Sequence, residues 1–347
     1  MNNLELTQLE PIMLDITLAA AMAFAVSILI TPIYTHLAYK YQAWKRVKDT
    51  AITGEKAKIF HKLHAEKHKR NIPTMAGVIM IAAITFVTVL FNFSTAQTLL
   101  PLAALIAAGG VGLIDDFINI RAPSQGIAGM RSQIKFTLIL IIALSISWWA
   151  YSKLGYTSLS VPFFESLPLG LFIIPLFTFV IVAIANAVNI TDGLDGLAGG
   201  LLSIVFGVYT VIALMQGNFG IAIYCGTVVG SMLAYTWFNI FPARFFMGDT
   251  GSFALGASLG VVALLTDTVL LLPIIAGMFV IEVSSSSIQI LSKKYLGRKI
   301  FISAPLHHHF EAKGWPETKV TMRFWILGAM MAISGLIIAV LGGQLQF

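Results

Sequence analysis

Two carboxylates and two carboxamides, Asn186, Asn189, Asp192 and Asp195, interrupt long apolar runs within residues 186–200. An ionised side chain at membrane depth costs at least roughly 2.5–3.5 kcal/mol on insertion scales, so acids placed there need a compensating role. In a continuous helix Asn189, Asp192 and Asp195 are spaced i, i+3, i+6 and share one face. Gly193, Gly196, Gly199 and Gly200 lower helix propensity and leave backbone amides open to close approach by a ligand. The stretch suits something anionic and metal-bound.

Two further acid motifs sit at the edges of apolar runs. Asp115 and Asp116 close a segment that begins at Gly109. Adjacent carboxylates repel, so either one is a candidate base while the other is available to a metal, unless both are simply solvated at a helix end. Asp249 lies between glycines ahead of another apolar run, with Ser252 one turn later. It reads either as a helix N-cap or as a ligand for a hard cation, which prefers a few carboxylates plus substrate phosphates. Basic and hydroxyl groups lie nearby in sequence. Lys69 and Thr74 flank Pro73 at the entry to a span, where an ammonium and a hydroxyl could meet a phosphate. Lys135 opens another span and is either a snorkelling anchor or a phosphate contact.

Glu282 falls inside an apolar run, and Ser284 to Ser287 are close enough in sequence to satisfy it, which favours a packed structural role. Gln289 is nearer the polar end of that run. His307, His308 and His309 are consecutive and cannot all face one point in a regular helix or strand. That argues against a zinc site built from them alone and for separate roles in phosphate binding and orientation.

The elements that must hold these groups are membrane helices. The chain is 57% hydrophobic and 11% charged, with a mean hydropathy of +0.86. It reads as a single all-α polytopic domain over residues 1–347, with about ten spans near 14–39, 73–93, 98–118, 135–152, 168–188, 196–215, 219–240, 252–266, 268–292 and 323–343. Of its 22 Lys and Arg residues, all but Lys153 fall in alternate connections. By the positive-inside rule the cytoplasmic loops lie near 40–72, 119–134, 189–195, 241–251 and 293–322, and both termini are extracytoplasmic. Glu5, Glu10 and Asp15 precede the first span with no basic residue until Lys40, unlike a cleavable signal peptide. The net charge of +6 therefore concentrates on one face, where it suits anionic lipid headgroups and phosphorylated substrates. No aromatic stacking platform or recognition element accompanies it, which argues against nucleic acid. The lone Cys225, inside an apolar run, excludes an intrachain disulfide framework.

Taken in order, Pro73-Thr74-Met75, Asp115-Asp116, Asn186 to Asn189 with Asp192 to Leu197, Phe246-Met247-Gly248-Asp249, and Ala304 to Phe310 with Lys313 to Pro316 closely resemble the phospho-N-acetylmuramoyl-pentapeptide transferase family. The resemblance runs from about residue 65 to 326. The wider polyprenyl-phosphate sugar-1-phosphate transferase superfamily shares the aspartates; the histidine segment with Gly314-Trp315-Pro316 points to the muramoyl branch. Asn71, Ile72, Ala76 and Asn119 depart from the family's usual residues.

The resemblance implies a Mg²⁺-dependent transfer from UDP-N-acetylmuramoyl-pentapeptide to undecaprenyl phosphate. The products are the lipid diphosphate sugar and UMP, at the cytoplasmic side of a bacterial inner membrane, and the resemblance suggests a homodimer. It assigns Asp249 to Mg²⁺ and Asp115 and Asp116 to activation of the lipid phosphate. Asn189, Asp192 and His307 join the polar catalytic shell, and Lys135 meets phosphate. Lys69, Thr74, Gly193, Leu194, Asp195, Asn239, Phe246, Ser252, Gln289, His308 and His309 fall on the nucleotide or substrate side, with Phe246 as a uracil stacker. Two alternatives remain: a transferase moving GlcNAc-1-phosphate, which need not keep the histidine segment, and a transporter of anions or nucleotide sugars, for which internal repeats and midplane polar groups would be expected.

Overall fold

The computed structural model describes residues 3–44, 71–93, 96–121 and 129–344. Its helices are α1 (Asn3–Lys40), α2 (Gly77–Asn92), α3 (Ala96–Arg121), α4 (Ser132–Leu154), α5 (Ile173–Thr191), α6 (Leu197–Met215), α7 (Phe219–Asn239), α8 (Gly248–Leu265), α9 (Leu272–Ile275), α10 (Gly277–Leu296), α11 (Leu306–Ala312) and α12 (Glu317–Leu341). The protein is an all-α polytopic membrane protein. Among the described residues eight helices are long and apolar enough to cross a bilayer. α2, at 16 residues, and α10, which carries Glu282, Lys293 and Lys294 within 20 residues, account for the two other expected spans. The ninth expected span is divided, because α9 ends before Ala276 and α10 starts afresh at Gly277. The connector after α4 holds a two-residue antiparallel pair, β1 (Ser158–Leu159) with β2 (Leu167–Pro168).

Every residue of α8 is buried. Lipid tails are as apolar as leucine, so a helix is enclosed on all sides only where neighbours approach closely and gain dispersion contacts. Small residues on α3 and α8 permit that. A methyl group at Gly112 of α3 would overlap the Asp249 backbone carbonyl, and one at Gly256 of α8 would lie 2.7 Å from the Cα of Ala185 on α5. Gly112 precedes Asp115 by one turn, so the same close contact brings the α3 acids to the start of α8. Inside this bundle the Tyr224 hydroxyl shares a 2.7 Å hydrogen bond with Ser258 of α8. Cys225 is a buried free thiol.

Candidate active site

The ends of α3, α5, α7 and α10 and the starts of α4, α6 and α8 lie on one side of the bundle, and their polar residues meet around the first turn of α8. Asp115 Oδ2 and Asp249 Oδ2 both accept from Lys135 Nζ, at 2.8 and 2.6 Å. Asp115 Oδ1 accepts from the Met130 backbone N–H at 2.6 Å, and Asn119, one turn on, is 3.4 Å from Oδ2. The Lys135 ammonium is here the shared counter-ion of two carboxylates that a low-dielectric edge would otherwise leave uncompensated.

Asp116 points elsewhere, since consecutive helical side chains are about 100° apart. Its Oδ2 accepts from the Thr250 N–H at 3.0 Å and the Thr250 hydroxyl at 2.8 Å. It thus does from α3 what an N-cap does within a helix, satisfying an orphan amide at the positive end of α8. That leaves Asp249, the second residue of α8, with its carboxylate on Lys135 instead of capping its own helix. Gly248 sits at φ +71°, and a side chain there would run into Asp116 and the buried Thr74 hydroxyl. Crowding of like charge therefore falls between Asp115 and Asp249, which share Lys135, and not within the adjacent pair.

The expected single helical face through Asn189, Asp192 and Asp195 does not form. α5 ends at Thr191, Asp192 is its C-cap with ψ 52°, and Gly196 at φ +77° starts α6. The glycines prevail over the 3.6-residue period, so the three side chains diverge. Asn189 donates to the Ser252 hydroxyl at 2.8 Å, which donates in turn to the Gly248 carbonyl at 2.9 Å. Asp195 is buried, accepts from the Ala243 N–H at 2.9 Å, and its own N–H donates to Glu317 Oε1 at 2.6 Å. Asn239 donates to the Phe245 carbonyl at 2.8 Å and accepts from the Gly196 N–H at 2.9 Å, so its amide ties the turn to the loop before α8. Leu194 is buried core, while Phe246 is half-buried in that loop, its N–H on the Pro73 carbonyl at 2.8 Å.

Three expected substrate residues are held by the protein itself. Ser252 is fully buried between α8 and Asn189. Gln289 accepts from the Ile300 and Phe301 amides and donates to the Phe301 carbonyl at 2.9 Å, clamping the loop before the histidines. His309 turns outward and accepts from the Ile302 N–H at 3.1 Å; partial burial, then the Lys313 charge, lower its pKa below the usual histidine value, which keeps it an acceptor. His307 and His308 are buried, with ring centroids 4.1 Å apart. Their Nδ1 atoms meet Glu282 at 2.9 Å and Glu311 at 2.7 Å. Gly193 lies against the His307 ring, so the histidine segment reaches the turn that carries Asp192. Lys69 lies outside the described residues.

Glu282 is not held by the serines after it. Its carboxylate takes the His307 ring and backbone N–H, while Ser285 bonds the Glu282 carbonyl at 2.7 Å. A partner 25 residues away cannot be read from local spacing, although an acid inside a span was itself the signal. Thr250 and Glu317 were also missed; only their position next to Asp249 and Pro316 could have flagged them.

Acidic, amide and basic groups thus gather around the first turn of a buried helix in a polytopic membrane protein. Residues 98–267 match the model of glycosyl transferase family 4. The chain is 37% identical over 329 residues to the phospho-N-acetylmuramoyl-pentapeptide-transferase of Geobacillus sp. (strain WCH70), covering 93% of this chain and 97% of that protein. Proteins of the same name from Anoxybacillus flavithermus (37% over 330 residues, 94% and 98% covered) and Chloroflexus aggregans (36% over 343 residues, 95% and 90% covered) are similar to it. The chain belongs to the phospho-N-acetylmuramoyl-pentapeptide transferase family and is a transferase of that type.

Proposed function

We propose that the protein transfers phospho-N-acetylmuramoyl-pentapeptide from its UDP donor to undecaprenyl phosphate, at the cytoplasmic face of a bacterial inner membrane. The observation that carries this is the convergence of Asp115, Lys135 and Asp249 at the membrane edge, where a soluble nucleotide and a lipid phosphate can both arrive. An oxygen of the lipid phosphate forms a bond to the sugar-linked phosphorus of the donor, the bond from that phosphorus to the bridging oxygen breaks, and the bridging oxygen leaves with UMP. Since the nucleophile is already an oxyanion, the protein's work is positioning and charge neutralisation.

The carboxylates fit a hard cation. Asp115 and Asp249 already present oxygens to one cationic centre, and among the described residues no cluster of three or more His, Cys, Asp or Glu surrounds it, so phosphates and water would complete the shell. Asp249, with Asp115 beside it, would hold Mg²⁺, which when bound neutralises diphosphate charge. Lys135 released from the two acids would turn to a phosphoryl oxygen. Asp116 holds the positive end of α8 toward the site, and Asn189 is fixed by Ser252 beside it.

The test is UMP release by purified protein with undecaprenyl phosphate and Mg²⁺, comparing UDP-N-acetylmuramoyl-pentapeptide with UDP-GlcNAc. Release from the muramoyl donor alone supports the proposal; release from UDP-GlcNAc moves the chain to the sister reaction, and release from neither overturns transfer.

A further inference from the structure

We propose that Glu282 is a positioning residue that fixes the tautomer of His307 and so aims its Nε2 at the transferred diphosphate. This rests on the proposed reaction for the identity of the group that Nε2 meets, but not for the tautomer itself.

Both side chains are completely buried, Glu282 in the second turn of α10 and His307 near the start of α11. Glu282 Oε2 is 2.9 Å from His307 Nδ1, and Oε1 accepts from the His307 backbone N–H at 3.1 Å. An ionised carboxylate only accepts, so Nδ1 carries the proton. The second bond, to the backbone of the same residue, prevents the carboxylate from sliding off the ring. Nε2 is then the only ring nitrogen left for other chemistry.

It is buried and has no hydrogen-bond partner among the described residues. Leaving a ring nitrogen unmatched at such depth is costly unless something else meets it. A Cβ built on Gly193, one residue after Asp192, would fall 2.4 Å from Nε2, so this nitrogen is directed at the turn that carries Asp192. The ring itself is held edge-on against His308, whose Nδ1 is engaged by Glu311 in the same manner. α11 is held in turn by the stack of Phe310 on Trp315, centroids 4.6 Å apart. Orientation, tautomer and backbone are thus all specified on one side of the ring, while the nitrogen on the other side faces the 192–196 turn. As an acceptor Nε2 can take a substrate hydroxyl or amide proton. Once protonated it donates to a phosphoryl oxygen, and Glu282 stabilises the imidazolium so formed.

A carboxylate that merely pinned the 297–305 loop to α10 would affect stability without affecting the imidazole. The experiment is therefore ¹⁵N NMR of full-length protein labelled at the histidine rings, with His307→Gln used to assign the signal, alongside steady-state kinetics. Wild type is expected to show neutral His307 protonated at Nδ1 and unprotonated at Nε2. In Glu282→Gln the amide must satisfy a backbone donor and a ring together, so the tautomer is expected to move toward Nε2–H. kcat for UMP release should fall roughly 10- to 100-fold while KM for the UDP donor changes less than about threefold. In a His307→Gln background the same substitution should add less than about twofold. An unchanged tautomer, or effects that multiply across the two positions, would overturn the proposal. If Glu282→Gln does not stay monodisperse, Glu282→Asp keeps the charge but shortens the reach, and the same tautomer shift is the criterion. Absence of UMP release from wild type would sink the proposed reaction and leave the tautomer result standing.

Discussion

Lys135 Nζ and Asp249 Oδ2 meet at 2.6 Å although 114 residues separate them and they stand at the starts of different membrane helices. With Asp115 on the same ammonium, the pair makes one positive charge the centre of a dianionic site. Removing it leaves two largely buried carboxylates facing each other, a loss of about 3–5 kcal/mol by comparison with broken buried pairs.

Lys135→Met should therefore lower the thermal unfolding temperature in chelator. It should also make stabilisation by added Mg²⁺ larger than in wild type, because a divalent cation then replaces the missing charge. Differential scanning fluorimetry across a Mg²⁺ series measures this. UMP release should fall at least roughly 100-fold, since the residue proposed to compensate phosphoryl charge is also gone. Equal Mg²⁺ stabilisation in both proteins would place the cation somewhere other than between Asp115 and Asp249.

Asp249→Asn retains an oxygen that can accept from Lys135 and so should fold. Without the carboxylate charge, Mg²⁺-dependent UMP release should drop by roughly 10³-fold, and raising Mg²⁺ should not restore it. Nucleotide release assays with circular dichroism as the folding control decide it; a folded variant with near-normal turnover removes Asp249 from the metal role.

Thr250→Val deletes the hydroxyl that bonds Asp116 but leaves the backbone N–H in place. The expected loss is about 1–3 kcal/mol of stability for one buried charge-assisted hydrogen bond, with a smaller drop in turnover than for Asp249→Asn. Chemical denaturation in detergent and UMP release together measure the two effects, and a wild-type stability would mean that Asp116 finds an equal partner.

Much of this architecture was legible in the sequence because its dominant signal is the length of apolar runs, and a bilayer reads length directly. The acids stood out for the same reason: Asp115, Asp116, Asp192 and Asp249 are conspicuous against so little charge. What spacing could not convey is saturation. Asn239, Ser252 and Gln289 stand out by type, but spacing does not show that their polar atoms also tie the fold together through amides and carbonyls, of residues as far away as Asn189. Periodicity also failed where it had to compete with glycine: Gly193 and Gly196 break the helix that would have aligned Asp195 with Asn189. Glu282 shows the converse, an acid that the sequence pairs with the serines after it and whose partner, His307, arrives from a separate element.

Two glycines on α3 separate close packing from helix propensity. A methyl group at Gly112 would strike the Asp249 backbone carbonyl, whereas at Gly110 it meets no atom within 4 Å. Gly112→Ala must therefore push α3 away from α8, and because Asp115 lies one turn further on, it should disturb the Lys135 bridge as well as the bundle. About 1–3 kcal/mol of destabilisation, or failure to accumulate, and loss of UMP release are expected together. Gly110→Ala should leave turnover intact and change stability by less than about 1 kcal/mol, in the stabilising direction if anything, since alanine favours helix over glycine. Unfolding midpoints and UMP release for the two single variants test it: equal behaviour at 110 and 112 would mean that α3 and α8 do not touch as closely as the shared site requires.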